Sequence, residues 1–508
     1  MRRSFPMDED MELLLEDQSK MIIRLINLLI ERPQGYSINE LSLRISVTER
    51  SIQRYIQQLK NLVAVYNEEK GKQLQLEYER YNRVRLRTDS GSNFVEFKTY
   101  ILENDFTMQV FKHIMFEDFY SVKKYSMTHF ISENTIRRSL KKISLFLNLY
   151  NLSLKRTTFE VIGKEKDIRM MAYIIGWVTF KGLSWPFESI NKRKAYQAVD
   201  VFTESFNLNL SIIQRKQMAY ILAINLIRFR KKHFIDLEEN WKNYIDLTSL
   251  KQSLSFLINF KEEYHIYTDS ELYFYVLLLQ MKAKIYDSKE FTQRVFRYHK
   301  ARQSDVYLAT QLFMETFATT FVPIPKELQE RFFITSFCAH LFCKTFKNIK
   351  VDIDGHHNLN DSDYDYPVLK EKIYLYIQSL QEKSNHSLFL ERNFLSQKYI
   401  LLFSAIAPLT HYEPSIKIFL DSDLPLFVKK NILTKINDRF KHDFNLTFLD
   451  SQQLLSADLI LTNVPNIMEE EQRFSDKIHL FDFPFKSNDF IELEKKLRHV
   501  IQQKTHSA

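Results

Sequence analysis

One stretch of this chain is written twice, and that duplication limits the fold more than any other feature. Residues 37–59 and 121–143 align without a gap at an offset of 84. Ser37, Leu41, Val47, Thr48, Glu49, Ile52, Arg54, Ile56 and Leu59 match Ser121, Tyr125, Ile131, Ser132, Glu133, Ile136, Arg138, Leu140 and Ile143. In both copies a hydroxyl residue opens a short apolar-periodic run, and a second hydroxyl opens a longer one. Ser and Thr at those places accept from the free N–H groups of a first helical turn, so each marks a helix start. Two helices joined by a tight turn form a helix-turn-helix.

The spacing also assigns faces. Ile38 and Leu41 pack the first helix of the leading copy, and Val47 fills its turn. Ile52, Ile56 and Leu59 recur at i, i+4 and i+7, the buried stripe of the second helix. Its outer face then carries Arg50, Ser51, Arg54 and Gln57. In the trailing copy that face carries Asn134, Thr135, Arg138 and Lys142, with Arg137 and Lys141 beside it. Arg, Gln and Asn are the side chains that pair with base edges in a major groove. The helix N-terminus at 49–51 suits a phosphate. A strand-turn-strand pattern follows each copy and reads as a wing. The first offers Arg80, Arg83, Arg85 and Arg87, the second Lys155 and Arg156. Residues 121–160 hold eight basic side chains against Glu133 and Glu160, so this one segment accounts for most of the whole-chain net charge of +8.

Amphipathic periodicity predicts a single helix over 11–31, ended by Pro33 and Gly35, then helices near 38–45 and 49–66. Residues 96–150 are helical again. From Lys164 to about Leu395 the period is helical throughout, apart from a polar break at 352–367. From about 398 short strand runs alternate with helices, which reads as a small α/β domain with a largely parallel sheet.

In these residues the chain resembles the Mga/AtxA class of virulence regulators from Gram-positive bacteria. The segment Gly163 to Ile175, with its G-x-E-x-x-I-R pattern, and Trp185-Pro186-Phe187 carry the likeness beside the domain order. The resemblance implies a mainly α, multidomain fold. Winged helix-turn-helix units would span 1–90 and 91–163. Helical phosphotransferase-regulated (PRD) modules would span 164–286 and 287–396. A domain resembling the phosphotransferase IIB component would span 397–508 and serve self-association, with Leu420, Leu424, Leu426 and Phe427 as contacts. It implies partners as well: promoter DNA, a second copy of the chain, and phosphocarrier proteins of the sugar phosphotransferase system. It places histidine phosphorylation at His233 and, in the second module, at His340, with His265 and His299 behind them. Arg228, Arg230, Lys231 and Lys232 would give His233 a cationic setting.

Other chemistry finds little support. Seven glycines in 508 residues, with no Walker, G-x-G-x-x-G, G-x-S-x-G or H-E-x-x-H motif, argue against a nucleotide cradle or a hydrolase. Cys338, His340 and Cys343 fall on different faces of one helix and lack a fourth ligand, so no metal is expected. The acidic run at 352–365 puts Gly355 fourth where a calcium loop needs it sixth. No cysteine follows Cys343, so IIB-type phosphotransfer through a thiol is excluded at the C-terminus. A non-enzymatic, cytoplasmic regulator without cofactors is the expectation. The alternatives are a PRD-containing antiterminator that binds RNA, or a protein-binding scaffold.

Overall fold

The computed structural model of the chain describes residues 9–32, 34–79, 83–88, 93–116, 119–248, 268–349, 351–354, 366–465 and 477–507. It divides into an N-terminal unit, comprising 4–308 and 337–357, and a C-terminal unit, comprising 309–336 and 358–508.

The helix expected over 11–31 is broken into α1 (Glu9–Glu12) and α2 (Asp17–Glu31). Leu14 and Leu15 are both buried in the break. The Asp105 carboxylate accepts from the Glu16 N–H at 2.9 Å, and Lys142 Nζ donates to the Leu15 carbonyl at 2.8 Å. These tertiary bonds satisfy backbone groups that a continuous helix would have used internally.

Strand β1 (Tyr36–Ser37) leads into α3 (Ile38–Ile45) and α4 (Glu49–Lys70). Strands β2 (Gln75–Glu79) and β3 (Arg83–Arg87) complete an antiparallel sheet of order β1-β3-β2. Gly35 precedes it at φ +75°, and a Cβ there would lie 2.4 Å from the Val84 carbonyl oxygen. Only glycine allows β1 to approach β3 so closely. Four helices follow: α5 (Phe94–Asn104), α6 (Phe106–Met115), α7 (Val122–His129) and α8 (Glu133–Asn148). The short antiparallel pair β4 (Ser153–Leu154) and β5 (Val161–Ile162) closes this region.

The expected helical stretch begins with α9 (Glu165–Phe180), α10 (Lys192–Ser205) and α11 (Ile212–Arg230), and continues through Asp269–Gln280 and Lys289–Ala301. Both α9 and α11 are buried almost all round, as central helices of a bundle must be. Trp185 and Phe187 meet Tyr220 edge-on at 5.6 and 4.9 Å, and Trp185 Nε1 donates to the Ile190 carbonyl.

His299 is fully buried in this bundle. Its Nδ1 lies 2.7 Å from Ser304 Oγ and its Nε2 lies 3.1 Å from Gln280 Oε1, while its ring stacks on Tyr244. Burial depresses its pKa to about 3. The native state therefore refuses a proton that the unfolded chain accepts near pH 6.5. This neutral histidine costs nothing above that pH, and stability falls as pH drops from about 6.5 toward 3. Between pH 7 and pH 5 the wild type is expected to lose about 2 kcal/mol more than His299→Gln. Urea titrations at the two pH values check this, and equal losses would refute it.

In the C-terminal unit the aromatic wealth of the chain (42 Phe, 26 Tyr) forms a core of rings. Phe313, Phe317, Phe321, Tyr376 and Tyr399 pack on one another, and the Tyr376 hydroxyl donates to the Phe313 carbonyl. Helix Arg392–Ser404 crosses the 396/397 boundary expected from sequence. Beyond it, strands β6 (Ser415–Asp421), β7 (Asn445–Phe448), β8 (Leu459–Thr462) and β9 (Ile478–Leu480) form a wholly parallel sheet of order β7-β6-β8-β9. Ile416, Ile418, Leu459 and Leu461 face Ile432 and Ile436 of helix Leu426–Phe440 and Leu493 and Leu497 of helix Ser487–Ser507. Among the described residues no helix is long and apolar enough to cross a membrane.

Candidate nucleic-acid interface and regulatory site

The duplicated segments fold alike down to single hydrogen bonds. Ser37 Oγ accepts from the Glu40 N–H at 3.2 Å, and Ser121 Oγ accepts from the Lys124 N–H at 3.1 Å. In the turn, Ser42 Oγ donates to the Val47 carbonyl at 2.5 Å, and Ser126 Oγ donates to the Ile131 carbonyl at 2.6 Å. The residues that close α3 and α7, Ser46 and Phe130, are left-handed at φ +62° and +55°. Thr48 and Ser132 then cap α4 and α8 through the N–H groups of Ser51 and Thr135. One difference is electrostatic. Glu40 returns a bond to the Ser37 N–H, which with Arg32 holds its carboxyl below the usual range, whereas the second copy has Lys124 there.

The stripes Ile52–Ile56–Leu59 and Ile136–Leu140–Ile143 are buried as the spacing required. Opposite them Arg50, Arg54 and Gln57 are exposed on α4, with Ser51 half-buried. Arg54 lies over the Tyr55 ring at 5.0 Å, and Gln57 donates to Asn61. On α8 Asn134, Arg137, Arg138 and Lys141 are exposed and Thr135 is half-buried. Arg138 reaches Thr135 Oγ1 at 3.4 Å, and Arg137 pairs with Glu133 at 3.0 Å. Lys142 differs from the expectation. Half-buried, it bonds the Leu15 carbonyl and lies 3.5 Å from Asp17, tying α8 to the N-terminal segment.

In the first wing Val84 and Leu86 point inward, so Arg83, Arg85 and Arg87 alternate onto the other face. Arg85 stands opposite Glu77 in the register, and Arg87 pairs with that same Glu77 at 3.2 Å. Arg80 lies outside the described residues. In the second wing Lys155 and Arg156 are exposed, and Lys155 Nζ is 3.8 Å from Glu160.

His233 sits where α11 ends. Its N–H donates to the Arg228 carbonyl, and the left-handed Lys232 turns the chain before it. The ring is half-buried, and burial together with Arg228 lowers its pKa. The expected cationic setting is only partly there. Arg228 is interior, donating to both oxygens of Glu165 at 2.9 and 2.7 Å. Sequence reading missed the centre of this site. Arg169 donates to Glu165 at 2.9 Å, to both oxygens of Glu271 at 2.5 and 2.9 Å, and to the His233 carbonyl at 2.9 Å. Glu271 also accepts from the Ile235 N–H at 3.1 Å. Two arginines and two glutamates thus lock the His233 turn onto α9. Glu165 and Arg169 are the E and R of the G-x-E-x-x-I-R pattern, so half of the cluster was visible as a motif. Glu271 had no local signal.

His340 is fully buried, as are Cys338 and Cys343. His265 lies outside the described residues. Among the described residues no group of His, Cys, Asp and Glu is placed to hold a metal. In the C-terminal sheet Asp421 ends β6 and the loop after it carries Asp423, to which Asn463 donates at 2.7 Å. Leu426 and Phe427 are exposed, Phe427 at 82%, while Leu420 is buried and Leu424 packs on the core.

Residues 91–174 match the family described as the Mga helix-turn-helix domain. A Streptococcus pneumoniae protein, provisionally named a trans-acting regulator, is 20% identical over 270 residues, covering 51% of this chain and 52% of its own. The Bacillus anthracis capsule synthesis positive regulator AcpB is 19% identical over 45% of this chain and 46% of its own. The anthrax toxin expression trans-acting positive regulator of that organism is 20% identical over 44% and 45%. The chain spans about half the length of the curated relatives it matches. The second helix-turn-helix unit is thus similar to the Mga domain, and the chain is a distant homologue of Mga/AtxA-like regulators of Gram-positive bacteria.

Proposed function

We propose that the chain is a transcriptional regulator of the Mga/AtxA type that binds duplex promoter DNA through its two winged helix-turn-helix units. The observation that carries this reading is the repetition of the unit's cap and turn hydrogen bonds, with Arg54 and Arg138 exposed at the same place on α4 and α8. Arginine reads guanine bidentately in a major groove, and a helix fits that groove. An antiterminator would need a platform for unstacked bases, and a scaffold would leave the paired basic helices without a task. Gel shifts with duplex DNA, duplex RNA and single strands test the reading. Preference for either RNA form, or binding to none, would overturn it.

Regulation in this reading acts through the helical modules and the C-terminal α/β domain. His233 is the phosphorylation site, because it is half-exposed at a helix end beside Lys231 and Lys232, whereas His340 is enclosed. Incubation with the general phosphotransferase proteins and phosphoenolpyruvate is expected to leave an acid-labile label on the peptide holding His233 and none on that holding His340. Label on His340 alone would reverse the assignment. The C-terminal domain supports self-association through Leu426 and Phe427. An exposed apolar pair of this kind is removed from water by an isologous contact. Phe427→Asp should weaken self-association about tenfold or more, as a charge buried in such a contact would. Sedimentation at matched concentrations measures this, and an unchanged state would move the contact elsewhere.

A further inference from the structure

Phe130 has no place in the fold's own packing. It is 95% exposed, the most exposed of the large apolar side chains described, and its backbone is left-handed at φ +55°. Bulky residues avoid that region, which Gly, Asn and Asp tolerate. In the first unit the equivalent residue is Ser46, in the same conformation with the same flanking hydrogen bonds. The turn therefore does not require an aromatic residue. Met127, one helical turn earlier on α7, is 68% exposed.

The two helices on either side of Phe130 carry exposed cations. Lys123 and Lys124 are exposed on α7, and Arg137, Arg138 and Lys141 are exposed on α8. Glu133 is the nearby carboxylate in sequence, and Arg137 holds it. Phe130 lies two residues before the Ser132 cap, at the end of α8 from which Asn134 and Thr135 project. An apolar side chain between two helices that carry exposed cations fits a polyanion that exposes apolar atoms between its charges. Duplex DNA does so with deoxyribose and the thymine methyl group.

We propose that Phe130, with Met127, is an apolar DNA contact of the second helix-turn-helix unit, seated on deoxyribose and a thymine methyl at the groove edge. The inference rests on the DNA-binding reading above and adds a difference between the two units. The first turns a polar residue toward the duplex and the second an aromatic one, so the second favours thymine at one position beside its recognition helix.

The probe is the duplex that the full chain selects from a random-sequence pool, made once with thymine and once with uracil throughout. Phe130→Ser, which copies the first unit, should bind the thymine duplex about tenfold more weakly. An apolar contact releases no counterion, so the slope of log affinity against log salt should stay that of the wild type, whereas Lys141→Ala should lower it by about one. Uracil substitution should weaken the wild type several-fold and leave Phe130→Ser nearly unaffected. Thermal melting of Phe130→Ser should match the wild type. Phe130→Asn, at ease in the left-handed turn, is the second variant should Ser not fold. Wild-type affinity in the folded variant, or equal uracil sensitivity of both proteins, overturns this inference alone. So does a loss confined to binding of anionic phospholipid vesicles. Failure of the wild type to select any duplex overturns the DNA-binding reading as well.

Discussion

Arg169→Met is expected to destabilise the N-terminal unit by about 3–5 kcal/mol, the range for stranding one charge of a buried pair. Arg169 is 2% exposed, and its guanidinium serves Glu165, Glu271 and the His233 carbonyl at once. Without it Glu165 keeps Arg228. Glu271 keeps only the Ile235 N–H among the bonds described above, as a carboxylate inside the bundle. The double variant Arg169→Met/Glu271→Leu removes both charges and should recover most of the loss, because two apolar side chains of similar volume replace a desolvated pair. The local consequence is more specific. The turn at 231–235 loses its donor to the His233 carbonyl, so trypsin should cut after Lys231 or Lys232 at protein concentrations and temperatures where the wild type resists. Denaturant unfolding and limited proteolysis of the three proteins measure both effects. A single variant as stable and as resistant as the wild type would show that the cluster does not hold this turn.

The same cluster shows where sequence reading stops. The run Arg228 to Lys232 looks like one basic patch, yet the helical period turns Arg228 inward to a glutamate 63 residues earlier, while Lys231 and Lys232 stay at the turn. A partner so distant leaves no trace in a local pattern. The break between α1 and α2 was hidden for a similar reason. Leu14 and Leu15 continue an amphipathic period, and Asp105, the cap of α6, with Lys142 of α8 holds the chain out of it. By contrast the helix-turn-helix units were readable because their determinants are local. A hydroxyl cap, an apolar stripe at i, i+4 and i+7, and a turn hydroxyl all act within a few residues. The alternation of strand and helix after residue 398 was readable too, since its strands appear as short apolar runs, most continuously in β8, which is buried along its whole length. The strand order with β6 central was not, because nothing in a strand's own residues names its neighbours.

The largest functional effect should come from Arg54→Ala/Arg138→Ala. The two arginines occupy equivalent places, each six residues past a cap whose hydroxyl bonds the third residue of its helix. Neither has a carboxylate partner among the hydrogen bonds that place it. Arg54 lies over Tyr55 and Arg138 reaches Thr135. Such contacts orient a guanidinium without neutralising it, which leaves its donors free for an acceptor from outside. If each reads a base edge, each single substitution costs ~1–3 kcal/mol and flattens preference at one position. The sites lie on separate helices with no shared partner, so the losses should add, to ~2–6 kcal/mol. Lys155→Ala on the second wing should instead weaken specific and scrambled duplexes alike and lower the salt slope, as a phosphate contact does. Lys142→Ala should act mainly on stability, since Lys142 is held by the Leu15 carbonyl and Asp17. Binding isotherms of the wild type and these five variants on specific and scrambled duplexes, at two salt concentrations, separate these roles. A double variant that binds the specific duplex like the wild type would remove both arginines from the interface. If Arg138→Ala alone has an effect, the reading of sequence belongs to the second unit, and the first serves to hold it in place.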